Sequence, residues 1–280
     1  MFMTITFLGT GAAEGVPAMF CSCDFCNSIR RIGLQEVRTR TQILINDDLL
    51  IDFPPEAYYH SFAMGVDLSA IKSLLVTHSH MDHFYAHDFI LRGYKYAQLK
   101  QPLLNIFGNE EVKKVFAECT AREMKPQVAP HISFTQLEPY SVFETDGYRV
   151  IAIPAEHVKT EQALLYYVER GGKGYLHLHD TGNVSDEAIA FLAKSGAKAN
   201  AVAYDCTFGR DGGNLSARHM GIPDIAIVRS KLAAAGVIDG TTVGVITHFS
   251  HNCKPYRADM QKLAQDNGLV AAYDGLTITV

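Results

Sequence analysis

Residues 73–83 read Ser-Leu-Leu-Val-Thr-His-Ser-His-Met-Asp-His, an apolar, strand-like run that ends on His78, His80, Asp82 and His83. A strand's period of two puts His78 and His80 on one side. A turn into a following helix then brings Asp82 and His83 to a second position nearby. Three imidazoles and a carboxylate packed this closely suit a borderline metal such as Zn2+, Mn2+ or Fe. The bland alternative is a polar loop of ordinary hydrogen-bonding histidines. The metal reading demands more, because it needs further ligands from distant strands.

Outward from this run, short β-rich segments alternate with helical ones. Strands are expected at 4–8, 42–45, 49–51, 73–77, 103–107, 131–136, 148–153, 163–168, 175–179, 201–204, 242–247 and 276–280. Helices are expected at 55–64, 83–98, 110–121, 186–194, 222–235 and 255–265, with Ser185 as an N-cap and Gly196 as a C-terminal stop. His157, Asp180 and His248 follow the ends of strands, where open sheets commonly gather their chemistry. His177 and His179 have the opposite strand parity to Asp180 and should point away from it. His60, His87 and His131 are likewise set aside. No repeat, low-complexity tract or linker interrupts the chain, so residues 1–280 are expected to form one domain.

The 280 residues are 48% hydrophobic and 20% charged, with a net charge of −5, the profile of a globular protein with room for a large core. No basic stripe of the kind that grips long nucleic acid is visible. The N-terminal MFMTITFLGTG alternates like a strand and lacks a basic leader, and no apolar run reaches the ~20 residues that cross a bilayer. A cytoplasmic protein without membrane partners is expected, and six cysteines without a secretory signal argue against a disulfide framework.

HSHMDH after SLLVT resembles the HxHxDH signature of the metallo-β-lactamase superfamily. The resemblance extends through LLIDF with Asp52, PAEHVKT with His157, LHLHDTG with Asp180 and ITHFSH with His248. It implies an α+β fold, a four-layer αββα sandwich. It also implies two divalent metals, Mn2+ or Zn2+ with iron as a further option. His78, His80 and His157 would bind the first, Asp82, His83 and His248 the second, and Asp180 would lie between them. Ala86 departs from the family pattern, which often has glycine there.

Cys21, Cys23 and Cys26 place three thiols in a short loop after GTGAAEGVPAMF. With one imidazole they make a closed structural zinc site, and His251, three residues beyond His248, is the candidate fourth ligand. Cys119, Cys206 and Cys253 read as buried or incidental. LGTGAAEGVPAMFCSCDFC together with THFSH resembles the phosphoribosyl cyclic phosphodiesterase subgroup of the carbon–phosphorus lyase pathway, as do YDCTF and YDGLTITV with Asp205 and Asp274. FYAHDFILRGYKYA, with Arg92 able to touch a phosphate, does not follow that subgroup.

These readings imply a phosphodiesterase for a small cyclic or nucleotide-like diester, acting through a hydroxide shared by two metals. Asp82 and His219, the latter in NLSARHMG, are the candidate catalytic residues, with His219 in the place of the subgroup's substrate-side histidine and a candidate acid. A small-molecule diester is the expected partner, and a homodimer is compatible with this reading. The alternatives are another hydrolase on the same scaffold (lactonase, thioesterase or tRNA-end nuclease) and a non-catalytic binding protein resembling the pyrroloquinoline quinone biosynthesis factor.

Overall fold

The computed structural model describes residues 2–212, 215 and 218–280. Residues 214, 216 and 217 of the segment around His219 lie outside the described residues, while His219 lies within them. In chain order, β1 (Thr4–Gly9), β2 (Gln42–Ile45), β3 (Leu49–Ile51), β4 (Ser73–Leu75), β5 (Leu104–Gly108) and β6 (Ile132–Gln136) build a first sheet. A second sheet takes β7 (Val142–Thr145), β8 (Tyr148–Pro154), β9 (Leu164–Arg170), β10 (Lys173–Leu178), β11 (Ala201–Asp205), β12 (Val243–Thr247) and β13 (Val270–Ala271). The chain then returns, and β14 (Leu276–Thr279) pairs with β1 at the edge of the first sheet.

The two sheets share one pairing scheme. In each, three antiparallel pairings are followed by three parallel ones: β14-β1-β2-β3 then β3-β4-β5-β6, and β7-β8-β9-β10 then β10-β11-β12-β13. Ile5, Phe7, Ile43 and Ile51 of the first sheet meet Val150, Tyr166, Val168 and Tyr175 of the second in the inner core. The outer face of the first sheet packs against α2 (Ala57–Ala63) and α3 (Glu110–Ala121). That of the second packs against α4 (Asp186–Lys194), α5 (Ile222–Ala234) and α6 (Arg257–Asp266). The layers are therefore αββα. Local chemistry fixes the helix starts: Asn109 accepts from the Val112 amide at 2.9 Å and Ser185 from Ala188 at 3.1 Å, with acidic residues in both first turns.

The structure departs from the sequence reading in four places. The helix expected over 83–98 is absent, replaced by a 3-10 turn, Ala86–Leu91. Phe53 donates to the His83 carbonyl and Tyr85 to the Phe53 carbonyl, both at 2.7 Å, which sets Phe84 in a β-bridge with Phe53 straight after the His80–His83 turn. Gly93 and Tyr94, both at positive φ, then end any helical continuation. The cysteine loop is partly helical, since α1 (Asp24–Ile32) begins inside it. Strands β7 and β13, short and at the second sheet's edges, lay outside the expected set. Finally, β4 ends at Leu75, so His78 and His80 stand beyond the strand instead of on it. Among the described residues no helix is long and apolar enough to cross a membrane.

Candidate metal centre

Five strand ends deliver the cluster. His78, His80, Asp82 and His83 follow β4, His157 follows β8, Asp180 follows β10, Asp205 closes β11 and His248 follows β12. Asp180 is the hub. Its Oδ2 lies 3.4 Å from His78 Nε2, 3.1 Å from His83 Nε2 and 3.3 Å from His157 Nε2, and its Oδ1 lies 2.8 Å from His248 Nε2. Ligand atoms of His78, His80, His157 and Asp180 all fall within 4.8 Å of one another, as do those of Asp82, His83, Asp180 and His248. A third group, Asp180, Asp205, His219 and His248, shares the hub and meets the same limit.

The imidazoles are aimed by their outer nitrogens. His78 Nδ1 and His83 Nδ1 lie 3.0 and 3.2 Å from the Thr77 hydroxyl, and His83 Nδ1 also lies 2.7 Å from Asp52 Oδ2. His248 Nδ1 lies 2.9 Å from the Thr207 hydroxyl, and His157 Nδ1 donates to the Arg218 carbonyl at 3.2 Å. With Nδ1 occupied, Nε2 must face the hub, an arrangement that fixes ring orientation at metal sites. His80 differs, presenting Nδ1 at 2.9 Å from His78 Nε2. Two nitrogens bound ~2.0–2.1 Å from one ion at about a right angle stand about this far apart.

These residues fit a metal pair. His83 Nε2, His157 Nε2, His248 Nε2 and Asp180 Oδ1 are buried without a hydrogen bond; the last two approach each other without hydrogen-bonding alignment. Buried polar atoms are nearly always paired, so four orphans facing one point call for a cation. Charge tells the same story. Burial opposes the Asp180 carboxylate, yet His248 and His83 hold it far below the usual range. Burial opposes protonation of His83, yet Asp180, Asp82 and Asp52 push it well above normal. His78, without enough of that compensation, is driven well below normal by burial and by neighbouring His83.

Backbone strain marks the same points. Asp52, Asp180 and His248 have φ of 64°, 51° and 62°. The left-handed region is uncommon for such residues and clusters at functional sites. It also breaks strand alternation at Asp180, so parity does not carry from His177 and His179 to it. Those two rings face the space between the sheets, buried, with His179 on the Thr41 hydroxyl at 3.1 Å and His177 on Tyr175 at 3.0 Å. Neither joins a ligand group among the described residues.

His219 Nδ1 lies 2.8 Å from Asp205 Oδ2, leaving Nε2 as its free nitrogen. Burial opposes its protonation, but the Asp205 carboxylate overcomes that and pushes it up to about 9. Asp205 also binds the Thr207 amide and hydroxyl at 2.9 and 2.8 Å, so it anchors both His219 and the residue that aims His248. Two further carboxylates escaped the sequence reading. Glu161 takes the Ser79 amide and hydroxyl at 3.0 and 2.7 Å and the Asn109 amide group at 2.8 Å, tying the His78–His80 turn to the His157 loop. Glu14 takes the Ser250 hydroxyl at 2.6 Å and the His251 amide at 3.1 Å. Both act across the fold, and no local spacing signals them. Arg92 lies outside the cluster, donating to three backbone carbonyls.

The cysteine group is a second, separate cluster. Ligand atoms of Cys21, Cys23, Cys26 and His251 lie within 4.8 Å of one another, and Cys26 Sγ is 3.4 Å from His251 Nδ1. Sulfur at ~2.3 Å and nitrogen at ~2.0 Å on one tetrahedral zinc stand about 3.5 Å apart, close to this distance. Cys23 caps α1, and the Cys26 amide on its thiol lowers it to about 6. Burial pushes Cys26 up to about 11, so it ionises readily only beside a cation. Phe25, Cys26 and Ile29 pack this loop against Val16 and Ala18.

A family model described as "Beta-lactamase superfamily domain" matches residues 49–248. An octanoyltransferase of Porphyromonas gingivalis is 36% identical over 85 residues, covering 29% of this chain and 16% of that protein. A ribonuclease Z of Listeria welshimeri is 27% identical over 156 residues, covering 55% of this chain and 46% of that one. These matches span less than half the length of either relative. Among solved structures, a diphosphatase of the PhnP family superposes with a TM-score of 0.74 at 21% identity, covering 100% of this chain and 98% of that one. It shares the fold.

Proposed function

The chain belongs to the beta-lactamase superfamily, and from that premise we propose that it is a metal-dependent phosphodiesterase for a small cyclic or nucleotide-like diester. The observation that carries this reading is the convergence of four imidazole nitrogens on Asp180 at 2.8–3.4 Å. His78, His80 and His157 would hold one divalent ion, Asp82, His83 and His248 a second, with Asp180 shared. Manganese and zinc both suit this mixture of imidazole and carboxylate. Cys21, Cys23, Cys26 and His251 would hold a structural zinc. Two ions so held supply Lewis acidity and a water made nucleophilic near neutral pH.

The chain's own residues do the rest. Asp180 and Asp82 concentrate negative charge where the ions must sit, and Asp82 faces the His83 side of the hub at 3.2 Å. Asp52 and Thr77 hold the Nδ1 side of His83, so Nε2 is the nitrogen turned inward. His219 holds its inner proton toward Asp205 and offers Nε2–H to the leaving oxygen, the role of a general acid. A diester carries one negative charge, whereas a dianionic monoester repels an anionic nucleophile more strongly.

The ribonuclease Z relative favours a second reading, cleavage at a tRNA end. The net charge of −5 and the lack of a basic stripe weigh against it. A substrate panel on the metal-loaded protein separates the readings. Cyclic nucleotides and aryl diesters should turn over, aryl monoesters little. Robust activity on a lactone or thioester with none on any diester, or on precursor tRNA alone, would overturn the proposal.

A further inference from the structure

The segment that follows Leu91 runs beside the outer face of the first sheet. Leu50, Leu74 and Leu104, on the outward face of β3, β4 and β5, line a cavity of about 580 Å3 there, with Phe89 and Ala97 also on its walls. That volume lies in the range of small-molecule sites, which are mostly apolar with a few placed polar groups. Arg92 is such a group. It lines the cavity half-buried, and its guanidinium donates to the carbonyls of Gln101, His131 and Leu68 at 2.7, 3.3 and 3.5 Å. Burial lowers its pKa. Asp88, four residues earlier, lines the same cavity without pairing with it among the described residues; burial raises its pKa, which weakens its hold on any cation. An apolar pocket beside a half-buried guanidinium that has no carboxylate partner among the described residues is complementary to a molecule with an apolar body and an anionic head. Planar guanidinium matches a carboxylate.

We infer that this cavity binds an amphiphilic monocarboxylate of the medium-chain fatty-acid class, its carbon chain over Leu50, Leu74 and Leu104 and its carboxylate on Arg92. The site is separate from the metal cluster and stands whatever that cluster hydrolyses. Titration calorimetry of the metal-loaded protein with decanoate and with decyltrimethylammonium, below micelle formation, tests it. Decanoate should bind saturably, and the cation of equal chain length at least tenfold more weakly. Arg92→Gln should weaken decanoate at least tenfold, and Ala97→Trp, which fills the cavity and keeps the guanidinium, should abolish its binding. Because the head-group comparison uses the unaltered protein, a variant that failed to fold would leave the test standing. Equal affinity for both amphiphiles, or no saturable binding of decanoate, would overturn the proposal. Decanoate affinity unchanged in Ala97→Trp would put the carboxylate on the metal cluster and overturn it too.

Discussion

The two candidate metal sites are built in opposite ways. The histidine–aspartate basin draws on the ends of β4, β8, β10, β11 and β12, and His78, His83, His157 and His248 are each held from behind by Thr77, Asp52, Thr207 or a carbonyl. Its geometry is imposed by the sandwich. The cysteine knuckle draws three thiols from one short loop and a single distant residue, His251, and its Cys23 is exposed. A bound ion would be its main tie to the rest of the fold. The sites meet in one segment, since His248 and His251 lie three residues apart and Glu14 grips the turn between them. Losing the basin's ions should therefore remove chemistry and spare the fold, and losing the knuckle's ion should loosen the fold.

The largest expected effect is at the hub. Asp180→Ala, or His80→Ala, should lower kcat by at least ~10³-fold with thermal stability nearly unchanged, because activation of water is lost and no apolar core is. Near-normal kcat in either variant, with metal content verified, would break the contrast from the basin's side.

Next comes His219. A positioned acid contributes ~10²–10⁴-fold where the leaving group is a poor one. An alkoxide needs that proton; a nitrophenolate hardly does. His219→Ala should lose most kcat on an alkyl or sugar diester and much less on an aryl diester, a difference of ~2 kcal/mol or more in transition-state free energy. Equal losses on both would make His219 a binding or shaping residue.

On the knuckle side, Cys21→Ser/Cys23→Ser should lower stability by about 2–4 kcal/mol, or roughly 5–10 °C in Tm. Unchanged melting would mean the loop is held by Phe25, Ile29 and Val16 alone.

The smallest effect concerns the basin's footing. His60 is buried on Gln42 at 2.7 Å, and Gln42 donates to the Asp52 carbonyl at 3.1 Å. Burial depresses His60 to about 4, below its unfolded value of 6.5. The unfolded chain then binds the extra proton, so this contribution is present above pH 6.5 and lost as pH falls toward 4. Relative to His60→Gln, wild-type stability should decline by about 2 kcal/mol between pH 7 and pH 5. A difference constant with pH would contradict it.

How much of this the sequence disclosed follows from how local each feature is. The HSHMDH run, the strand periodicity and the Ser185 helix cap are short-range signals, and the helices expected at 110–121 and 186–194 formed at those bounds. The 83–98 segment failed because a backbone pairing with Phe53, far away in sequence, overrides its helical pattern. Helix α1 was hidden by its cysteines, although Phe25, Cys26 and Ile29 lie on one helical face. Glu161 and Glu14 left no trace, since each acts through residues 52 or more positions away. The left-handed φ of Asp180 and His248 is likewise set by the closing of the sheets and carries no local signature.

Counting metals tests the central claim most directly. Elemental analysis of the purified wild type should find three ions per chain, one tightly held zinc and two that exchange. Cys21→Ser/Cys23→Ser should keep the exchanging pair and lose the zinc, and Asp180→Ala should keep the zinc and lose exchanging metal. Unchanged zinc in the cysteine variant, or a full exchanging pair without Asp180, would contradict the account.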